Sequence, residues 1–86
     1  GINCAITIVT ADPAVAQAIT QAVSRGVTVW RGEGGHTGDG KYICYMVANK
    51  FEEPLVRKVV TDLDPQAFMV VSENVGVSGN YARRLN

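Results

Sequence analysis

Val27-Thr28-Val29-Trp30-Arg31, then Gly32-Glu33-Gly34-Gly35-His36-Thr37-Gly38-Asp39-Gly40, then Lys41-Tyr42-Ile43-Cys44-Tyr45-Met46-Val47-Ala48 is the stretch that decides the fold. Its outer segments are β-branched and aromatic, the composition of strands. Five glycines in the nine residues between them exclude regular structure there. Two strands joined by such a segment read as an antiparallel hairpin with a long, mobile tip.

Working toward the N-terminus, Ala14 to Arg25 carries apolar residues at Val15, Ile19, Ala22 and Val23, one face of a helix. Asp12 is the expected N-cap, Pro13 the first helical residue and Gly26 the C-terminal stop. Before it, Ile2 to Thr10 reads as a strand with Ile2, Cys4, Ile6 and Ile8 on one side. Working toward the C-terminus, Glu52-Glu53-Pro54 opens a second helix, with acids at the positive end of its dipole. Its apolar face is expected to be Leu55, Val56, Val59, Val60 and Leu63, and Asp64-Pro65 ends it. Ala67 to Ser72 is the last strand. The order is βαββαβ, an α+β ferredoxin-like fold in which right-handed crossovers place two helices on one face of a four-stranded antiparallel sheet, order 4-1-3-2. One domain over residues 1–86 is expected, with its core in about 2–73 and a tail over 74–86.

The bulk numbers agree with a small globular unit. Of 86 residues, 47% are apolar and 19% charged, which leaves little room for disorder outside the ends. Eight basic and eight acidic side chains cancel, so a nucleic-acid or anionic-membrane surface is not the expected main business. The pair Arg83-Arg84 is too small a basic cluster to change that. Cys4 and Cys44 fall inside apolar runs and read as buried thiols of a reducing compartment, with a single disulfide as the alternative. No zinc-type spacing, secretory leader or apolar run of membrane-spanning length is visible. The sequence opens without methionine, directly on a strand, as a piece of a longer polypeptide does.

Two surfaces stand out. An antiparallel sheet with one solvated face alternates apolar and polar residues, yet Tyr42, Cys44, Met46, Met69 and Val71 read as a second apolar face, joined by Ala5, Val9 and Trp30. Such a face meets a partner, so a homo-oligomer, dimer or trimer, is expected through the open side of the sheet. Cover by the tail is the alternative. The second surface is the glycine-rich tip. Backbone N–H groups of Gly34, Gly35 and Gly38 are expected to converge in the manner of anion-binding nests, with Gly32 allowing close approach, Arg31 and Lys41 supplying charge, and Thr37 a hydroxyl. His36, the one histidine, is a ligand contact or an inert loop residue. The expected function is a ligand-binding regulatory module that senses a small anionic metabolite or nucleotide at this tip. A structural homo-oligomerisation domain that binds no ligand is the alternative, with a flexible hairpin tip as the plain reading of the loop. The tip leads from strand to strand, so it is neither a P-loop nor a dinucleotide fingerprint. No nucleophile or second carboxylate stands near His36, and no enzyme is expected.

Gly26-Val27-Thr28-Val29, Gly32-Glu33-Gly34-Gly35-His36-Thr37-Gly38, Tyr42 to Val47, and Leu63-Asp64-Pro65-Gln66-Ala67-Phe68-Met69 together resemble the soluble C-terminal domain of YitT-type bacterial membrane proteins. The resemblance runs from about Ile2 to Asn80 and includes Val75-Gly76-Val77-Ser78-Gly79, although the phenylalanine expected next is absent. It implies a fold like that of PII-type regulatory proteins, with ligands at subunit clefts and a mobile loop between the second and third strands. It also implies a parent membrane domain, with this part on the cytoplasmic side of the cell membrane.

Overall fold

The computed structural model describes residues 1–81; Arg83-Arg84 and the end of the expected tail lie outside the described residues. The elements are β1 (Asn3–Thr10), α1 (Val15–Val23), β2 (Thr28–Glu33), β3 (Gly40–Asn49), α2 (Glu53–Leu63) and β4 (Phe68–Glu73). The four strands form one antiparallel sheet in the order β2-β3-β1-β4, the ferredoxin-like arrangement.

Register settles which face meets the helices. Cys4, Ile6, Ile8 and Thr10 of β1 are buried, and they stand opposite Ala48, Met46, Cys44 and Tyr42 of β3. On the other side, Ile8 and Ile6 stand opposite Met69 and Val71 of β4. These residues close one core with Val15, Ile19 and Val23 of α1 and Val56 and Val60 of α2. Each fully buried Ile, Val or Met among them contributes about 1.5–3 kcal/mol. The expected second apolar face is therefore corrected: Tyr42, Cys44, Met46, Met69 and Val71 lie on the helix side. The open face carries the alternate set, Ile43, Tyr45, Val47, Phe68 and Val70 with Ala5, Val9 and Trp30.

Several boundaries also move. α1 ends at Val23, because Ser24 adopts a left-handed conformation (φ 54°) and donates its N–H to Thr20 O at 2.9 Å. Gly26, the expected stop, lies beyond that cap. Asp12 accepts the Ala14 N–H on Oδ1 at 2.8 Å and so closes the turn that leads into α1 rather than capping the helix itself. In α2, Val56 and Val60 are buried but Leu55 and Leu63 are 44% and 42% exposed, so its core stripe is narrower than the sequence suggests. Asp64 is extended (φ −143°, ψ 93°), as a residue before proline prefers. After β4, Asn74 (φ 56°) turns the chain back, Val75 donates its N–H to Asn3 O at 3.1 Å, and the chain continues to Tyr81 beside β3.

Candidate functional site

The hairpin tip is shorter than expected. β2 runs through Gly32 and Glu33, and β3 already begins at Gly40, which leaves residues 34–39 as the loop. The loop closes on itself: Gly34 N–H donates to Asp39 O and Gly38 N–H to Gly34 O, both at 2.8 Å. Asp39 N–H donates to Thr37 Oγ1 at 3.2 Å. Gly38 has φ +75°, a conformation that side chains other than glycine resist. A Cβ on Gly32 would stand 2.8 Å from Ile43 Cδ1, so this glycine lets Ile43 lie across the open face.

Of the three N–H donors expected for an anion, only that of Gly35 has no acceptor within the loop. Arg31 and Lys41 do not converge either. Arg31 stands opposite Tyr42, on the helix side, with its guanidinium 5.5 Å from that ring's centroid. Lys41 stands opposite Gly32, on the open side. His36, Thr37 and Gly38 are exposed at the tip.

The open face is the larger feature. Phe68 (58% exposed), Val70 (55%), Trp30 (49%) and Tyr45 (40%) project from it over three of the four strands. Lys41, at its margin, is the one charged residue that register places there among the described residues. A cleft of about 360 Å³ borders this face at the end of the hairpin away from the glycines, lined by Arg25 to Thr28, Tyr45 to Val47, Asn80 and Tyr81. It lies where β3 outruns β2: the ladder stops at Thr28 opposite Tyr45, while β3 continues to Asn49.

The family described as "Uncharacterized protein conserved in bacteria (DUF2179)" matches residues 25–79, from the connection after α1 through β4 and the turn after it. The chain belongs to the DUF2179 family. The DUF2179 chain is 34% identical to UPF0750 membrane protein YxkD of Bacillus subtilis (strain 168), with 92% of this chain and 30% of that protein covered. It is 31% identical to UPF0750 membrane protein YvjA of the same organism, over 93% of this chain and 28% of that protein. The chain thus spans less than a third of the length of these relatives. The crystal structure of a DUF2179 protein from Eubacterium ventriosum superposes with a TM-score of 0.68 at 27% identity, covering 84% of this chain and all of that one. No helix among the described residues is long and apolar enough to cross a membrane.

Two polar ties of the DUF2179 domain escape a reading of its sequence. Glu52, ahead of α2, accepts from Arg25 Nε at 3.1 and 3.3 Å on its two oxygens and from Asn49 N–H at 2.9 Å, joining the α1–β2 connection to the β3–α2 turn. Asp64 makes the corresponding tie at the other end of the sheet, to Thr10 and Ala11. Neither the Arg25–Glu52 pair nor the Thr10–Asp64 pair has a local signal, since 27 and 54 residues separate the partners. No group of His, Cys, Asp or Glu side chains stands ready to hold a metal among the described residues.

Proposed function

We propose that this DUF2179 domain is a non-catalytic assembly module of a bacterial membrane protein, on the cytoplasmic side of the membrane, which joins copies of the chain through the open face of its sheet. The observation that supports this is the makeup of that face: four large apolar side chains between 40% and 58% exposed, with charge only at its margin. Apolar area of this kind gains about 25 cal/mol per Å² when removed from water. A neutral apolar face meets its own copy without like-charge repulsion, which favours a dimer or trimer over a charged partner. The membrane-protein names of the relatives and the two free thiols, Cys4 and Cys44, suit the cytoplasmic placement. Sedimentation velocity tests the reading: the wild-type chain sediments as a dimer or trimer at micromolar concentration, and Tyr45→Lys/Val70→Lys stays folded by circular dichroism yet sediments as a monomer. A wild type that remains monomeric at high concentration rejects it.

A small anion or nucleotide at the hairpin tip is the second reading, in which the module is regulatory. Gly35 N–H, the Thr37 hydroxyl and His36 stand together in the exposed loop and are its support. Assembly is preferred because Gly34 and Gly38 spend their N–H groups inside the loop and Arg31 and Lys41 face apart. A rise in Tm with a phosphorylated metabolite, lost in Gly35→Ala/Lys41→Ala, would reverse that preference.

A further inference from the structure

Phe51 is 74% exposed, the most of any large apolar side chain among the described residues. Its place in the chain makes this exposure informative. It precedes Glu52, the N-cap of α2, where an apolar residue ordinarily folds back onto the fourth helical residue. Here that residue is Val56, which is fully buried on the core side while Phe51 stays in solvent. Phe51 therefore does not serve the local fold.

Its neighbourhood has a definite chemistry. Lys50 N–H donates to Ile2 O at 2.7 Å, which carries the β1–β3 ladder one pair past Asn3 and Asn49 and puts Ile2, 54% exposed, beside this turn. Leu55, 44% exposed, follows in the first turn of α2. The Lys50 ammonium stands 5.5 Å from the centroid of the Phe51 ring. The acids of this turn are engaged, Glu52 with Arg25 and Glu53 with Arg57, while Glu73, exposed on the same side of the sheet, stands on β4 across β1 from Lys50. Lys50 has no carboxylate partner among the described residues. The β3–α2 turn and the strand end beside it thus offer an aromatic ring, two aliphatic side chains and an ammonium in no ion pair among the described residues. The ladder places Ile2 and Lys50 on the helix side, away from the open face.

We infer that this end of the domain rests on an anionic lipid bilayer, with Phe51, Ile2 and Leu55 entering the boundary between headgroups and acyl chains and Lys50 meeting lipid phosphate. An aromatic ring suits the interfacial depth, and a lysine beside it keeps its stem in the apolar layer while its ammonium stays at the headgroups. The charge selects an anionic leaflet over a neutral one. The inference rests on the reading that the domain works beside a membrane, and it leaves the open face free for assembly.

The test uses Trp30→Phe/Phe51→Trp, which moves the single tryptophan of the chain to the proposed contact. Millimolar phosphatidylglycerol vesicles should shift its emission to the blue by several nanometres, and lipids brominated near the headgroup should quench it. Adding Lys50→Glu should weaken apparent binding severalfold, and phosphatidylcholine vesicles should give a smaller response. No blue shift with anionic vesicles overturns the proposal, as does a response unchanged by Lys50→Glu. A blue shift that grows with protein concentration without lipid also overturns it, because a second copy then covers the patch. Circular dichroism confirms folding of each variant. Sedimentation of the wild-type chain, which keeps Trp30 on the open face, reports assembly through the sheet separately, so failure of one reading is distinguishable from failure of the other.

Discussion

The hydroxyl of Thr10, at the end of β1, donates to Asp64 Oδ2 at 2.6 Å across a separation of 54 residues. The same oxygen accepts the Ala11 N–H at 3.2 Å, while Oδ1 accepts the Gln66 N–H at 3.0 Å. Asp12 N–H donates back to Thr10 Oγ1 at 3.1 Å. One carboxylate thereby fastens the β1–α1 turn to the α2–β4 turn. The Thr10 hydroxyl is the largest influence and holds the Asp64 carboxyl below the usual carboxylate range; burial opposes it, and the Ala11 and Gln66 N–H groups and the positive charge of Lys41 add lesser downward contributions.

The pH dependence follows from that direction. A carboxyl whose pKa is lower folded than unfolded stabilises the protein above its unfolded value, about 3.9, and the contribution is lost as pH falls through the folded value. Asp64→Asn is expected to lower Tm at pH 7, and the gap to wild type should close below about pH 4. Thermal melts at pH 7, 5 and 3 measure it. A gap that persists undiminished at pH 3 would show that charge is not what Asp64 contributes.

Glycines of the tip should differ sharply in tolerance. Gly38→Ala forces a side chain into φ +75° and is expected to cost about 1–2 kcal/mol in urea unfolding. Gly35→Ala has open space around its Cβ and should lie within about 0.5 kcal/mol of wild type. Equal costs at the two positions would contradict the backbone described for the loop.

The two faces of the sheet can be told apart by truncation. Ile6→Ala, at a fully buried site in a central strand, should cost about 2–5 kcal/mol. Val70→Ala, 55% exposed on the open face, should change monomer stability little and weaken self-association instead. Denaturation at high dilution, paired with sedimentation, separates these effects. A large loss at Val70 in the dilute monomer would mean the face assignment is inverted.

Both cysteines should be inert in the native protein. Burial pushes the Cys4 and Cys44 thiols up, and the carboxylates of Glu53, Glu52 and Glu73 add to the effect at Cys4. Since the thiolate is the reacting form, an aromatic disulfide reagent at pH 8 should label neither until the protein unfolds, and both at once in denaturant. Rapid labelling under native conditions would place at least one thiol at the surface.

The strand and helix order was legible because β1 and both helices carry one-sided apolar patterns, and because Asp64-Pro65 marks an end by local sterics alone. The face of β3 was not. Its two alternating sets, Tyr42/Cys44/Met46 and Ile43/Tyr45/Val47, are almost equally apolar, so alternation carries no sign, and only pairing with β1 decides which set is inside. The tip was misjudged for a related reason. Gly32 and Gly40 look like loop residues by type, but their pairing with Lys41 and Glu33 ties them into the ladder. Of the expected site, exposure of His36, Thr37 and Gly38 was readable, whereas the divergence of Arg31 and Lys41 depends on strand parity across the hairpin. The Asp64 tie had no signal at all, since its partner lies on a strand at the far end of the sequence.

The place of β1 between β3 and β4 has a consequence for how the domain is made. The first of these four strands to be synthesised is the one that needs the last: Ile6 is flanked by Met46 on one side and Val71 on the other. Until residue 73 has emerged, one edge of β1 has nothing to pair with, and its row of Cys4, Ile6 and Ile8 is only half enclosed. Long-range pairing of this kind is slow to nucleate. A chain stalled before β4 would offer a ready apolar edge to chaperones or to another nascent copy, so synthesis of this domain is most vulnerable at its final strand.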